Sequence, residues 1–383
     1  MTSRRDFLKC LAMFGAAAAL PFRRLSAAEG IMTPKPIGDG LSKVPYAGEL
    51  HRTAKTPRMI TIPDAGEYKI LKGDFHMHTL FSDGHVMPKD RVNEAVDNGL
   101  DVISITDHIE YHPNIGGNTL KLVNNDNYNI SYQFAKPVAE EKNLILVPGA
   151  EITKAAWHFN ALFAEDVNKI ASVVNDWRQM LAVSVDQGAF IHWNHPSWIS
   201  RNETEGLKKG DPLRFFDEIE EVRQKGLVHG LEVFNGTGFF PIALDWCNER
   251  DLAPMVNSDI HQSECETYGH QNLLRPMTLI FAKDRTYESV REAFFAKRTV
   301  GWAANMVLGR DPWVGKLFRS CVDITKNANG LTLRNLSDIP CLFNANGTTL
   351  ELLAQGSLEL GATDKLVVRN WFVGMNKPLE VVV

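Results

Sequence analysis

The stretch GDFHMHTLFSDG, residues 73–84, follows an apolar run and places two histidines and one aspartate within eight positions. Successive residues of a strand point to opposite faces, so His76 and His78 project the same way, about 6–7 Å apart. Gly84 is a turn residue that can fold the Asp83 carboxylate back toward the two imidazoles. This spacing suits metal ligation. A strand with two hydrogen-bonded histidines and a surface turn is the alternative at this point.

The composition is that of a globular protein. The chain has 383 residues, 44% of them hydrophobic and 23% charged, which is enough for one large domain and a small one. The formal net charge is -5, and both signs are spread along the chain. A nucleic-acid binder needs a basic patch, so we expect no nucleic-acid partner.

The first residues resemble a twin-arginine export signal. Arg4 and Arg5 precede a short apolar run at residues 10–20 and small residues at 26–28. That run is too short to span a bilayer, so we expect a signal peptide over 1–28, no transmembrane segment and a periplasmic protein. This export route carries folded proteins, which suits a protein that acquires metals in the cytoplasm. A disordered basic start on a cytoplasmic protein is the alternative.

Cysteine usage argues against a zinc-thiolate site. Cys10 lies in the signal, and the other four cysteines form no C-x-x-C pair. An oxidising compartment would permit a disulfide between Cys321 and Cys341.

Residues 29–66 are rich in Pro, Gly and Lys and predict an extended N-terminal arm. Beyond the arm, short apolar runs alternate with helical patterns. The predicted strands are 68–78, 102–106, 144–147, 159–163, 190–193, 231–234 and 254–256, and the predicted helices include 88–99, 167–187, 213–225 and 287–297. This alternation predicts a parallel α/β architecture, and about seven such units favour a closed or distorted barrel.

After residue 302 the pattern changes. Short alternating segments follow one another without helices between them, with turn signals at Asn329-Gly330 and Asn346-Gly347. We expect a small all-β sandwich domain over residues 313–383.

Ligand-type side chains recur where the predicted strands end. In a parallel barrel the functional residues lie at the carboxyl ends of strands, whereas core histidines would scatter over the fold. Strand-end candidates are His76 and His78 with Asp83, then Asp107 and His108, Glu151, His158, His192 and His195, Glu232 and Asn235, and Asp259 and His261. The recurrence favours a metal site.

The ordered motifs HMH with SDG, TDH, PGAEIT, NHPS and SDIH resemble those of the PHP (polymerase and histidinol phosphatase) superfamily. The resemblance implies a distorted (β/α)7 barrel over residues 67–312 that holds two or three divalent metal ions. Carried over position by position, it implies the ligands His76, His78, Asp83, His108, Glu151, His158, His195, Asp259 and His261.

The chemistry of this set agrees with metal-dependent hydrolysis. Six imidazoles and three carboxylates suit Zn, Mn or Fe without choosing among them. Glu151 follows the Pro148-Gly149 bend and is the natural bridging carboxylate. We expect a metal-bridging hydroxide to attack phosphorus in a small phosphoester, with a phosphodiester as the first choice of substrate.

Other residues receive supporting roles. Asp259 or His261 is expected to protonate the leaving group, and Arg298 and Lys154 are the candidates for phosphate binding. Asp107 is expected to orient an imidazole, whereas His192, Glu232 and Asn235 are expected to pack or to support ligands.

Three other functions stay open from the sequence alone. They are a phosphomonoesterase of the same superfamily, an amidohydrolase-type metal hydrolase, and a noncatalytic metal-binding protein with a surface-binding β domain.

Overall fold

The computed structural model describes residues 59–112, 127–153, 157–197, 213–269, 273–345 and 348–383. The predicted signal peptide, most of the arm, and Lys154 lie outside these ranges. The helices are α1 Pro88–Asp97, α2 Ile130–Glu141, α3 Val167–Ala171, α4 Trp177–Asp186, α5 Asp217–Gln224, α6 Pro241–Glu249, α7 Glu264–Thr267, α8 Tyr287–Phe295 and α9 Asp311–Cys321.

The strands in the first part of the chain are β1 Lys69–Asp74, β2 Val102–Ile105, β3 Ile145–Ile152, β4 Phe159–Leu162, β5 Phe190–Trp193, β6 Gly230–Asn235, β7 Gly238–Phe239 and β8 Ala253–Asn257. Those that follow are β9 Met277–Ala282, β10 Thr299–Ala303, β11 Met306–Gly309, β12 Val322–Asn327, β13 Gly330–Asn335, β14 Cys341–Ala345, β15 Thr348–Leu352, β16 Ser357–Leu360, β17 Lys365–Gly374 and β18 Lys377–Val382.

Fifteen strands form one sheet in the order β15-β14-β17-β11-β10-β9-β1-β2-β3-β4-β5-β6-β7, with β18 paired to β17 and β8 paired to β6. The chain is therefore a mixed α/β protein, as the sequence predicts. In the described residues the ladders follow a branched path, and closure into a barrel stays a prediction. The hydroxyl of Thr278 joins β9 to β8, since it accepts from the Val256 N–H at 2.9 Å and donates to the Val256 carbonyl at 2.8 Å.

The parallel arrangement that the sequence predicts is found in only part of the sheet. Strands β1, β2 and β3 are parallel neighbours, and so are β5, β6 and β8, but β4 runs antiparallel to both β3 and β5. The six residues between β3 and β4 are too few for the helical crossover that a parallel pair needs, which agrees with the antiparallel pairing of these two strands.

The predicted helix 167–187 is two helices. The first helix ends at Ala171, and Asp176 caps the start of α4, because its carboxylate accepts from the N–H groups of Arg178 and Gln179. Helix α2 was not predicted, and it contains Pro137. Its buried positions are small or polar, Ser131, Ala135 and Ala139, so its apolar pattern is weak.

The C-terminal strands belong to two sheets. β12, β13 and β16 form a separate three-stranded sheet, whereas β17 pairs in parallel with β11 and carries β14, β15 and β18 into the large sheet. The expectation that this region contains no helix is wrong at its start, because Asp311–Cys321 forms α9. The elements described after α9 are strands, and the sandwich and the boundary at 313 stay predictions. Cys321 and Cys341 are free buried thiols, so the disulfide expectation is wrong in this structure.

Candidate metal centre

The HMH segment and the SDIH segment, which carry the first and the last of the ligand motifs in the sequence, lie side by side. Strand β1 ends at Asp74, and the chain continues extended through His76 and His78, both fully buried. The His78 N–H donates to the Ile260 carbonyl at 3.1 Å, and the Asp259 N–H donates to the His76 carbonyl at 2.9 Å. These main-chain bonds bring the HMH and SDIH motifs together.

Glu151, near the end of β3, lies at the centre of the cluster. Its Oε2 atom is 3.3 Å from His76 Nε2, 3.2 Å from His78 Nε2 and 3.1 Å from His108 Nδ1. Its Oε1 atom faces other imidazoles, with His158 Nδ1 at 3.0 Å and His195 Nε2 at 3.6 Å. A carboxylate whose two oxygens face separate groups of imidazoles has the arrangement of a bridging ligand.

Asp259 adds a second carboxylate oxygen to the His76 and His78 pair. Its Oδ1 atom is 3.2 Å from Nε2 of each imidazole. The backbone of Asp259 has φ 50°, a left-handed conformation that aspartate tolerates better than most residues. The Asp259 carboxylate therefore approaches the two imidazoles from a local turn rather than from a regular strand.

Asp83 gathers a further group of imidazoles. Its Oδ2 atom lies 3.4 Å from His108 Nε2 and 3.2 Å from His261 Nε2, and its Oδ1 atom lies 3.5 Å from His78 Nδ1. The ring of His78 stacks between those of His108 and His261, at centroid distances of 4.5 and 4.3 Å. A Cβ on Gly84 would lie 2.4 Å from the His78 carbonyl carbon, so this turn requires glycine.

The nine predicted ligands therefore converge. The groups with donor atoms close enough to hold an ion are His78, Asp83, His108 and His261; His76, His78 and Glu151; His76, His195 and Asp259; and Glu151, His158 and His195, with a further group of His76, His192 and Glu232. Around an ion with bonds of about 2.1 Å, neighbouring ligand atoms lie about 3.0–3.4 Å apart, which matches most of these contacts.

Two buried imidazole nitrogens are further evidence for a metal ion in the cluster. Among the described residues, His78 Nε2 and His108 Nδ1 make no hydrogen bond, although each lies close to Glu151 Oε2. A donor or acceptor buried without a hydrogen bond costs about 1–3 kcal/mol. Coordination of a cation between these atoms would satisfy them, so the residues fit a metal ion.

The electrostatics also favour a cation. Burial raises the pKa of Glu151, but the imidazoles of His108 and His76 outweigh burial and hold this pKa well below its usual range. Burial lowers the pKa of His78, but Asp259 and Glu151 outweigh it and raise this pKa to about 10. The cluster thus stabilises positive charge, and a divalent ion would compete with protons for the same nitrogens.

Glu232, in the middle of β6, supports the ligands. Its Oε1 atom lies 2.9 Å from His76 Nδ1, and its Oε2 atom accepts from the His195 N–H at 2.7 Å and from Asn235 Nδ2 at 2.8 Å. His192 Nε2 lies 3.8 Å from Glu232 Oε1. The supporting roles expected for these residues agree with these contacts.

Asp107 orients a loop rather than an imidazole directly. Its carboxylate accepts from the Thr79 N–H at 2.6 Å, from the Ser82 hydroxyl at 2.6 Å and from the Ser131 hydroxyl. Ser82 Oγ in turn lies 3.4 Å from His78 Nδ1. The sequence indicated a supporting role for Asp107 because this residue directly precedes His108. The hydroxyl groups that it binds were not apparent from the sequence.

The structure does not bring Arg298 to the cluster. Its guanidinium donates to the Phe281 carbonyl at 3.0 Å, pairs with Glu292 and lies over the Tyr68 ring. Thr299, the next residue, pairs with Ile280 of β9, and Ile280 in turn pairs with Leu71 in the first half of β1. The metal ligands, in contrast, follow the end of β1. Arg298 is therefore at the other end of these strands, and its phosphate-binding role is not retained.

Two exposed aromatic side chains border the cluster. Tyr111 is 53% exposed, and its ring lies 5.7 Å from that of His108. Phe134 is 48% exposed and lies 5.6 Å from Phe81, two residues before Asp83.

Comparisons with known proteins agree with this site. A family model for twin-arginine translocation signal sequences matches residues 1–21, which implies export. Among the described residues, no helix has both the length and the apolar composition needed to cross a bilayer. A search of functionally curated proteins gave no match.

Solved structures supply the fold relationship. Two of them share little with the chain: a metal-dependent phosphoesterase candidate from Bifidobacterium adolescentis (17% identity, 50% of this chain and 88% of that one, TM-score 0.36) and an amidohydrolase from Chromobacterium violaceum (12%, 50% and 87%, TM-score 0.34).

A third structure is much more similar. It is a two-domain protein from Bacteroides vulgatus that contains a predicted PHP-like metal-dependent phosphoesterase. It is 32% identical to this chain, with a TM-score of 0.76, and the match covers 86% of this chain and 99% of that one. The chain therefore belongs to the family of two-domain proteins that contain a PHP-like metal-dependent phosphoesterase.

Proposed function

We propose that the protein is an exported, periplasmic hydrolase that cleaves small phosphodiesters at a di- or trinuclear metal site. The observation that carries this proposal is the convergence of nine imidazole and carboxylate ligands on Glu151 and its neighbours. Divalent ions bound there would supply Lewis acidity and lower the pKa of water to about 7, giving hydroxide as the nucleophile.

The residues divide the work as follows in this proposal. Glu151 bridges, because its two oxygens face separate imidazole groups. Asp259 serves as a ligand, since burial raises its pKa but His76 and His78 lower it further, which keeps the carboxylate anionic. The imidazole of His261 is the most solvent-exposed of the ligands, at 34%, and is the group placed to face the leaving group.

Metal analysis and a three-substrate assay test the proposal. The mature protein, from which export has removed the signal peptide, is purified from the periplasm and analysed for Zn, Mn and Fe. It is then assayed on a bis-aryl phosphodiester, an aryl phosphomonoester and an N-acyl amide. We expect bound metal and fastest turnover of the diester. Faster turnover of the monoester would reassign the substrate class, turnover of the amide alone would indicate an amidohydrolase, and bound metal without turnover would indicate a noncatalytic protein.

Alanine variants test the site residues. We expect His78→Ala and Asp259→Ala to lose bound metal and to abolish turnover, because each removes a ligand from the shared centre. His85→Ala is the matched control, since this histidine is exposed and its main-chain N–H, which alanine keeps, donates to the His261 carbonyl. Unchanged metal content in the two ligand variants would refute the site assignment.

A lysine pair in place of Arg4 and Arg5 tests the export step. We expect the variant to accumulate in the cytoplasm, measured by cell fractionation, while the wild type reaches the periplasm. Unchanged fractionation would refute the localisation.

A further inference from the structure

Arg91 is an arginine with no exposed surface, which is rare for this residue type. It lies on α1, the helix that begins at Pro88 shortly after the GDFHMHTLFSDG stretch. A buried guanidinium is tolerated when its N–H groups are hydrogen-bonded and its charge is paired. Its partners therefore show what the side chain does.

The guanidinium of Arg91 binds main-chain carbonyls of two ligand-bearing segments. Nε donates to the His78 carbonyl at 3.0 Å, and Nη2 donates to the carbonyls of Ile260 at 3.1 Å and His261 at 2.9 Å. One planar group thus spans the HMH segment and the SDIH segment. A lysine ammonium lacks this fixed fork of donors.

Glu94, one turn later on α1, holds the guanidinium in place. Its Oε2 atom accepts from Arg91 Nη1 at 2.7 Å, and its Oε1 atom accepts from the Glu264 N–H at 2.9 Å. The pair is therefore anchored to α1 and to the start of α7, which follows the SDIH segment. Neither Arg91 nor Glu94 offers a ligand atom to the cluster of His78, Asp83, His108 and His261.

The spacing that Arg91 sets is the one that ligation requires. His78 and His261 come from the two segments, stack at 4.3 Å and both approach the carboxylate of Asp83. Metal coordination tolerates only small errors in ligand position, and groups that orient ligands commonly contribute about 10- to 100-fold to metal affinity.

We propose that Arg91 is a positioning residue for the metal centre, which clamps the main chains of His78 and His261 so that both imidazoles reach the ion held with Asp83 and His108. The inference rests on the proposed function, because it requires a metal at that group. It assigns Arg91 no contact with the substrate.

Metal affinity measured on the full-length protein by chelator competition, with zinc or cobalt as the probe, tests this inference. We expect Arg91→Gln to weaken the weakest-bound ion about 10- to 100-fold and to change the cobalt ligand-field spectrum. We expect Arg91→Lys to give a smaller loss, and Glu94→Gln a smaller loss still in the same direction. In the turnover assay kcat should fall while KM stays constant, because substrate contacts are unchanged.

Arg291→Gln is the matched control. Arg291 also donates to a main-chain carbonyl, that of Gly188 at 2.7 Å, but this carbonyl precedes β5 and belongs to neither the HMH nor the SDIH segment. We expect it to lower the thermal midpoint without changing metal affinity or the cobalt spectrum. If Arg91→Gln does not fold, Arg91→Lys and Glu94→Gln carry the same comparison.

The outcomes separate the inference from the proposed function. If Arg91→Gln, Arg91→Lys and Glu94→Gln all keep the metal affinity and the cobalt spectrum of the wild type, the positioning role of Arg91 is overturned while the metal site stands. Failure of the wild-type protein to bind zinc or cobalt would overturn the proposed function itself, and the clamp would fall with it.

Discussion

Glu232 Oε1 lies 2.9 Å from His76 Nδ1, while Nε2 of the same imidazole lies 3.2 Å from Asp259 and 3.3 Å from Glu151. The hydrogen bond to Glu232 fixes the proton on Nδ1 and leaves Nε2 free to bind an ion. Both side chains are fully buried, so water does not compete for this contact.

The first prediction concerns this pair. Glu232→Gln replaces one carboxylate oxygen, which accepts hydrogen bonds, by an amide NH2 group, which only donates them. The NH2 group would face other donors, either those of His76 and Asn257 or those of His195 and Asn235. We expect metal affinity to fall about 10- to 100-fold, measured by chelator competition. Glu249→Gln, at an exposed glutamate, is the control and should bind metal as the wild type does. Equal affinities in the two variants would contradict the orienting role.

The second prediction concerns Arg298. Because its guanidinium is bonded to the Phe281 carbonyl and to Glu292, Arg298→Gln should lower the free energy of unfolding by about 1–3 kcal/mol. We expect kcat/KM for the phosphodiester to stay within about twofold, since Arg298 is remote from the ligands. A raised KM with unchanged stability would restore the phosphate-binding interpretation of the sequence.

The third prediction concerns pH and His229. Burial, together with the charge of Lys297, lowers the pKa of His229 to about 4, and its Nδ1 accepts from the Ile191 N–H at 3.0 Å. The unfolded chain protonates this imidazole near pH 6.5, so the folded state loses stability as the pH falls from about 6.5 to about 4.

His229→Asn keeps an acceptor and removes the titration. Between pH 7 and pH 4, the wild type should lose about 3 kcal/mol more unfolding free energy than this variant, measured by urea denaturation at each pH. Parallel pH profiles for the two proteins would contradict the prediction.

The fourth prediction concerns the exposed ring of Tyr111. If an aryl group of the substrate packs on it, Tyr111→Ala should raise KM for a bis-aryl phosphodiester about 2- to 10-fold and leave a dialkyl ester unaffected. Tyr111→Phe keeps the ring and should resemble the wild type. An equal loss on both esters would show a structural effect instead.

The ligand side chains were predictable from the sequence because their positions follow two local rules. Strand residues two apart share a face, and parallel strands end at a common edge, so His76, His78 and Glu151 could be expected to meet. The SDIH motif also follows a predicted strand, and the contact of its Asp259 with His76 agrees with the expectation that these side chains meet.

The supporting residues were harder to predict for a physical reason. Arg91 acts through main-chain carbonyls, which every residue has, so no side-chain pattern marks its partners. Asp107 binds hydroxyls of residues that lie on two separate segments, Ser82 and Ser131. Only tertiary structure brings these groups together.

The strand directions were also beyond the sequence pattern. An apolar run predicts a strand but not its orientation, and β4 turned out antiparallel to both neighbours. Residues 167–187 have a helical apolar pattern throughout, but the structure breaks the helix over 172–176, where the Asp176 carboxylate caps the start of α4 instead of continuing α3.

The parallel pairing of β11 with β17, at Val307 with Trp371 and Leu308 with Phe372, bears on any attempt to divide the protein. A recombinant piece that stops near Gly309 would leave β11 as a bare, apolar edge strand whose N–H and C=O groups are open to other chains. Such edges template aggregation. The part of the chain that carries the ligand cluster would therefore need the C-terminal strands as a cover in order to stay monodisperse.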